Sequence, residues 1–379
     1  MNELNSDIIV IGGGIAGVSA AAELSSSASV RLIESENQPG FHATGRSAAY
    51  FAKAYGNEIV RSITAASEPF YRHPPNGFCD VDLIRPRDCV FVGRGDQRAA
   101  LSMMADEISS LRWQSPDDVR AGIPIFKEGY LAGGLLDSTG GDLDVDAILQ
   151  GYLRLFTRSS GVVETNTRVN AIHHHNGLWK VHSEGQVFTA TIVVNAAGAW
   201  ADGIAELAGL SGLSITPKRR TAILINAPGG ADISQWPLAV DVNEQFYFKP
   251  DAGQLLISPA NEDECAPCDA QADEMDIAIA IDRFMGACDV NVERINHRWA
   301  GLRSFAPDKN FVVGFDPRQE SFYWLAGQGG YGVQSAPGLA QLVANQITGA
   351  ELPDHCKKLS SYTSDLAPER LIGPQPHAY

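Results

Sequence analysis

Three glycines at fixed spacing, Gly12, Gly14 and Gly17 in the run I-I-V-I-G-G-G-I-A-G from Ile8 to Gly17, form with Glu34 a set that could hold a dinucleotide. An apolar run meeting glycines in this way turns from strand into helix. Gly12 allows the tight turn, Gly14 lets the backbone approach a pyrophosphate, and Gly17 lets the helix pack closely on the strand. The helix start then offers free N–H groups and the positive end of its dipole to phosphate oxygens. Glu34 closes a second apolar run, Val30 to Ile33, where a carboxylate can accept from ribose hydroxyls. A later cluster, Gly329, Gly330 and Gly332 around Tyr331, also precedes a helical pattern, and its N–H groups and dipole suit negative charge on a bound group.

These residues need elements to carry them. Ala16 to Leu24 reads as an alanine-rich helix, so strand, helix, strand and acid form one βαβ unit. Pro39 to Ala49 reads as a glycine-bearing loop entering a helix, and Asn57 to Tyr71 has helical spacing. From Arg87 to Gly141 the unit is interrupted by a strand at Cys89 to Val92, a helix around Gln97 to Ser110 and a capped start at Ser115-Pro116-Asp117-Asp118. A helix at Asp144 to Phe156 follows, then strands near Val162 to Glu164, Arg168 to His173, Trp179 to His182 and Ala190 to Ala196, the last returning to the nucleotide domain. Strands at Thr221 to Asn226, Gln245 to Lys249 and Gln254 to Ser258 suggest a half-buried antiparallel sheet, with a helix at Asp273 to Gly286. Phe311 to Gly314 and Phe322 to Ala326 are the last strands, and Ala336 to Thr348 the closing helix. The fold class is therefore α/β, a Rossmann-like nucleotide domain with a second α+β domain on a mixed antiparallel sheet.

At 379 residues the chain exceeds what one core usually serves, and 44% hydrophobic residues supply material for two. With 29 Lys and Arg against 45 Asp and Glu, the formal charge of −16 argues against nucleic acid or an anionic membrane as partner and favours a small molecule. No stretch approaches the roughly 20 apolar residues of a membrane span, and no charged leader precedes the first strand, so a cytoplasmic protein is expected. The six cysteines, Cys79, Cys89, Cys265, Cys268, Cys288 and Cys356, make no disulfide framework in such a chain and are expected as reduced thiols.

With N-A-A-G-A-W at Asn195 to Trp200, W-A-G-L-R-S-F at Trp299 to Phe305 and G-Q-G-G-Y-G-V-Q at Gly327 to Gln334, the chain resembles the D-amino acid oxidase family of FAD-dependent oxidoreductases. Within it, H-A-T-G-R-S-A-A, P-K-R-R and F-Y-F-K-P-D-A-G are most similar to the bacterial dehydrogenases of D-arginine and other D-amino acids. The resemblance implies a discontinuous FAD domain of residues 1–86, 140–217 and 304–379, and a substrate domain of residues 87–139 and 218–303. It implies that Gly12, Gly14, Ile15, Ala16 and Gly17 hold the pyrophosphate, Glu34 the ribose, Val169 the adenine, and Thr44, Gly45, Arg46, Ser47 and Ala48 the flavin side. Ala197, Gly198 and Trp200 would also meet the cofactor, and Gln328, Gly329, Gly330, Tyr331, Gly332, Val333 and Gln334 would lie by the isoalloxazine with Arg303.

Oxidising an amino acid needs its carboxylate held in a dry pocket, and a guanidinium binds a carboxylate bidentately while staying charged. Arg303 and Arg220 occupy the corresponding family positions, and Tyr247 and Tyr55 match pocket tyrosines. Tyr50, Cys89, Gly330 and Gln334 would complete the substrate pocket. No general base stands out, and none is needed if the amine is deprotonated on binding and hydride passes from Cα to the flavin, leaving an imine that water converts to a 2-oxo acid and ammonia. Arginine-preferring relatives place a glutamate where this chain has Cys89, and Asp88 beside it falls on the opposite strand face. Tyr50 and Ala52 stand where the relatives have His and Thr. Neutral or apolar D-amino acids are therefore expected over D-arginine.

Cys265-Ala266-Pro267-Cys268 has no second pair at zinc spacing and reads as a surface loop. His173, His174 and His175 alternate faces before the Asn176-Gly177 turn, so no metal is expected. No cysteine lies between Cys288 and Cys356, near the late arginine segment through which some relatives bind flavin covalently. Non-covalent FAD is expected, and acid precipitation should leave the yellow colour in the supernatant, not in the pellet. The reoxidant is expected to be a quinone or another carrier in preference to oxygen. The alternatives are oxidation of secondary or N-substituted amino acids, and a flavin electron-transfer subunit of a larger complex.

Overall fold

The structure is a computed structural model and describes residues 3–373. The first apolar run forms the strand Ile8–Ile11, buried along its whole length, and the glycines turn it into the helix Ile15–Leu24. It lies within a six-stranded sheet ordered 162–164, 30–33, 8–11, 192–195, 319–326 and 312–316, parallel except for the last pair. Both faces are covered, which is why these strands read as continuous apolar runs. Ile8 and Val10 pack with the helices Ile15–Leu24, Glu58–Arg72, Val145–Arg158 and Gly332–Thr348. Ile9 and Ile11 pack on the other side, against Trp179 and Phe188 of a four-stranded sheet.

The second layer is a nine-stranded mixed sheet whose axis is the long strand Thr216–Asn226. One edge of that strand pairs with His297–Phe305 over nine residues, and the other with Gln254–Ser258 and Asp263–Glu264. The sheet continues through Tyr247–Asp251, Leu238–Asp241, Cys89–Gly93, Gly133–Asp137 and Arg112–Gln114, with one parallel contact between Leu238–Asp241 and Cys89–Gly93. Helix Glu274–Ala287 backs it through Ile277, Ala280 and Phe284. The expected α/β class with a mixed second sheet is the fold observed.

Local chemistry explains most boundaries. Asn57 accepts from the Val60 N–H at 3.0 Å and starts the helix Glu58–Arg72, and Ser115 and Asp118 form the reciprocal capping box of Pro116–Gly122. Asn176 and Gly177, at φ 50° and 77°, make the tight hairpin between His175 and Leu178 that their residue types predict.

Several expectations are corrected. The closing helix starts at Gly332, four residues before Ala336, despite Pro337 inside it. Proline cannot donate to the carbonyl four residues back, and the Tyr71 hydroxyl donates to that carbonyl, Val333 O, instead. The loop 39–49 enters no helix; it winds through turns, takes Ala49 to φ 56° and becomes the short strand Tyr50–Phe51. The run Ala190 to Ala196 is two strands, Gln186–Ala190 and Ile192–Asn195, in different sheets. The strand His297–Phe305 was not anticipated, because Gly301 and two arginines obscure its alternation. Among the described residues no helix is long and apolar enough to cross a membrane.

Candidate active site

A continuous cavity of about 590 Å³ runs from the glycine turn of the first sheet to the inner face of the second. Its near end is a nucleotide cradle. Gly12 takes φ +110°, and a Cβ there would lie 2.4 Å from Ala196 O; a Cβ on Gly17 would lie 1.9 Å from Gly12 O. Both glycines let backbones touch. Gly14 differs: its added Cβ would meet only Thr44 Oγ1, at 3.5 Å, on the open side of the cavity. Gly14 is the N-cap of Ile15–Leu24 and has no side chain with which to cap it, so the first-turn N–H groups beyond Ile15 lie beside the cavity. Ile15 N–H donates to Thr44 Oγ1 at 3.0 Å. Glu34 accepts from Gly13 N–H at 2.7 Å and from Glu36 N–H at 2.8 Å, which holds its carboxylate at the cavity wall. Val169, Ala197, Gly198 and Trp200 line the same end, as do Arg168 and His42, which the sequence reading did not select.

Further along lie Ser47, Ala48, Gln328, Gly329, Gly330, Gly332 and Val333. Gln328 Nε2 is buried without a hydrogen-bond partner, an unspent donor. The helix Gly332–Thr348 begins here without a side-chain cap, so its free N–H groups and positive dipole end add to that donor. An elongated anionic dinucleotide with a flat, electron-accepting end suits these features: helix N-termini at two points, a carboxylate at the ribose position and an orphaned amide at the far end.

At the far end, the ribbon of Thr216–Asn226 and His297–Phe305 sets the geometry. Lys218 faces Arg303 across the ladder, Arg220 faces Gly301, and Ala222 faces Trp299. Opposed residues share a face, and alternate positions along each strand repeat it. Arg220 and Arg303 therefore both project into the cavity, whereas Arg219 turns outward to Asp276 at 2.8 Å. Arg220 pairs with Glu262 at 3.1 Å. Arg303 forms no ion pair among the described residues, and burial opposes its charge. The facing hydroxyls of Tyr55, Tyr247 and Tyr331 outweigh that opposition and hold its pKa above the ordinary arginine value. Burial, and then the repulsion of Arg303, lower that of Arg220. Burial pushes the Tyr331 phenol up to about 12.

A half-buried guanidinium without an acidic partner, beside a second and more deeply buried one, is a site for an anion. Gly330 makes room for it, since a Cβ there would lie 2.7 Å from Arg303 Cζ. The remaining wall is mostly apolar, with Phe91, Ala222, Leu238 and Val240 joining Cys89 and Tyr247; Lys249 also borders it, with its ammonium paired to Asp142 at 2.9 Å. Cys89 lines this cavity and Asp88 a separate polar cleft behind it. Burial keeps the Cys89 thiol protonated, with Asp137 and Asp88 adding to the effect.

Some selected residues have other duties. Gly17, Gly45 and Tyr331 stand behind the cavity wall. Gly45 allows the loop to close on Gly40 O, and Tyr331 packs its ring on Tyr55 at 5.4 Å. Arg46 borders the cavity but sends its guanidinium to Ala270 O, Ala300 O and Asp269. Gln334 is committed to Ala52 and Thr64, so it anchors the segment carrying Tyr55. Tyr50 donates to Arg87 O at 2.7 Å, and Tyr55 donates to Glu244 at 2.8 Å. Among the described residues no group of His, Cys, Asp or Glu is disposed to hold a metal.

A family model described as FAD dependent oxidoreductase (DAO) matches residues 7–346. The mouse FAD-dependent oxidoreductase domain-containing protein 1 is 25% identical over 397 aligned residues, 89% of this chain and 80% of that protein. N-methyl-L-tryptophan oxidase of Salmonella enteritidis is 25% identical over 396, covering 96% and 98% of the two chains. The crystal structure of glycine oxidase from Geobacillus kaustophilus superposes with a TM-score of 0.82 at 18% identity, covering 98% of this chain and all of that one.

Proposed function

Because the chain belongs to the DAO family of FAD-dependent oxidoreductases, we propose that it oxidises the amine-bearing carbon of D-amino acids, yielding 2-oxo acids and ammonia once the imine is hydrolysed. The observation that carries this reading is Arg303: a half-buried guanidinium without an acidic partner, with Tyr55 and Tyr247 beside it on the cavity face and Tyr331 behind them. A substrate carboxylate supplies the missing charge, and Arg220 reinforces it from the neighbouring strand. Bound FAD supplies the two-electron acceptor. Tyr247 offers a hydroxyl beside the two arginines, and Gln334, through Ala52, keeps the Tyr55 segment in place. Phe91, Leu238 and Val240 lower the local dielectric beside the guanidinium contact and so strengthen it.

The D-configuration is supported by the motif likeness at His42 to Ala49 and Phe246 to Gly253. The preference for neutral or apolar side chains is supported by Phe91, Leu238, Val240 and a protonated Cys89 lining the cavity while Asp88 faces away. The division into residues 1–86, 140–217 and 304–379 against 87–139 and 218–303 is supported by the membership of the six- and nine-stranded sheets. A second reading, oxidation of a secondary amino acid, is favoured by the full-length likeness to N-methyl-L-tryptophan oxidase.

Anaerobic bleaching of the flavin with D-leucine, D-phenylalanine, D-arginine, L-leucine, proline and sarcosine tests both. D-Leucine and D-phenylalanine are expected to bleach fastest. D-Arginine at the head of the order would overturn the side-chain preference, and bleaching confined to sarcosine or proline would establish the second reading. Gly330→Ala is expected to lower kcat/KM by ten- to a hundredfold through displacement of Arg303, on the scale of about 1 Å misplacements. Its melting temperature should hardly change, because the atoms displaced are the end of a flexible side chain.

A further inference from the structure

The pair Cys265 and Cys268 is not part of the site described above, yet it does not lie on a free surface loop. Its sulfur atoms are 3.5 Å apart, both residues are half-buried, and Cys268 borders the cavity while packing with Trp200, Ala270 and Leu302. The segment that carries the pair is tied at both ends to functional elements. On its N-terminal side Glu262 holds Arg220, and Cys265 N–H donates to Pro217 O at 3.0 Å. On its C-terminal side Asp269 and Ala270 O hold Arg46 of the loop that lines the cofactor cavity, with Ala270 O accepting at 2.8 Å. The pair thus sits at the middle of a strap running from the anion-binding ribbon to the cofactor loop.

We propose that Cys265 and Cys268 form a reversible thiol–disulfide switch that locks this strap over the bound cofactor. The oxidant is a low-molecular-weight disulfide. One cysteine, as thiolate, attacks a sulfur of that disulfide, forming a mixed disulfide and releasing one thiolate. The other cysteine then attacks the protein sulfur of the mixed disulfide and releases the second. Two protein thiols become one S–S bond, the small disulfide becomes two thiols, and two protons pass with them. Burial and the neighbouring sulfur raise the pKa of Cys268. The crosslink removes freedom from the strap whose Asp269 and Ala270 O hold the Arg46 loop. The oxidised strap therefore retains FAD longer than the reduced one.

The holoenzyme equilibrated over a series of reduced to oxidised glutathione ratios tests this. After acid quench and alkylation, the expected product lacks two hydrogen atoms, with the crosslink mapped to the peptide holding Cys265 and Cys268. FAD fluorescence released on dilution should appear about fivefold more slowly from the oxidised form. The same ratios should leave release from Cys265→Ser unchanged. Two alkylatable thiols at every ratio, or glutathione adducts on the pair without a crosslink, would overturn the switch. A crosslink with unchanged or faster FAD release in the wild-type protein would overturn its action on the strap, independently of how Cys265→Ser folds.

Discussion

Arg303→Met is expected to reduce kcat/KM for the amino acid about a thousandfold, while FAD still binds and the protein melts no lower than the wild type. The two halves of that result come from the same fact. In the free enzyme Arg303 is half-buried and has no acidic partner, so methionine breaks no ion pair and fills similar space. In the complex the same guanidinium meets a desolvated carboxylate, and losing one member of such a pair costs about 3–5 kcal/mol. A thousandfold corresponds to about 4 kcal/mol, within that range. Steady-state kinetics with a dye acceptor and a thermal melt decide it. Activity within tenfold of wild type would show that the carboxylate binds elsewhere, and a much lower melting temperature would show that Arg303 serves the fold. Arg220→Met should weaken binding less and harm stability more, because it takes from Glu262 the nearer of its two cationic partners and leaves only Lys218 at 3.6 Å.

Gly17→Ala and Gly14→Ala should fail in different ways although they lie in one motif. The alanine methyl at position 17 would fall 1.9 Å from Gly12 O, backbone against backbone, so the first strand and helix cannot keep their distance. We expect loss of several kcal/mol, enough to unfold a protein of ordinary stability, seen as insoluble or early-melting protein without flavin. At position 14 the backbone is already compatible with any L-residue, at φ −70°, and the added methyl meets only Thr44 Oγ1. That variant should fold and melt normally as apoprotein, yet bind FAD weakly because the methyl occupies the approach of the pyrophosphate. The ratio of flavin to protein absorbance, read beside the melt, separates the outcomes. A Gly14→Ala holoenzyme with full flavin content would remove Gly14 from the cradle.

The nucleotide end was legible because each of its residue types has a backbone reason: a glycine turn, a helix start, an acid at a strand end. Strands buried on both faces announce themselves as apolar runs, and the hairpin at Asn176-Gly177 does so by its positive φ values. The substrate end was less legible. Arg303 and Arg220 could be chosen by type, but their common face depends on register between strands about eighty positions apart in the chain, which no local pattern carries. The same blindness hid Glu244 as the partner of Tyr55 and Lys249 as a buried ammonium against Asp142. It also concealed Cys268, which reads as loop until the strap is seen to fold back over Trp200. Conversely, Gln334 and Arg46 were selected for the cofactor, but their polar groups serve protein neighbours, a distinction that lies in tertiary packing alone.

The pairing of Thr216–Asn226 with His297–Phe305 has a consequence for how a chain of this kind can diverge. Deleting or adding a single residue within either strand would turn the following side chains to the opposite face, sending an arginine out of the cavity and, in the first strand, presenting Arg219 in its place. Length changes here are all-or-nothing, whereas the turn at Asn176-Gly177, far from the cavity, can lengthen freely. Under the proposed reading, new substrates are therefore reached by exchanging the side chains at Cys89, Phe91, Leu238 and Val240, on strands whose lengths stay constant, and the demand for a carboxylate is the property slowest to be lost.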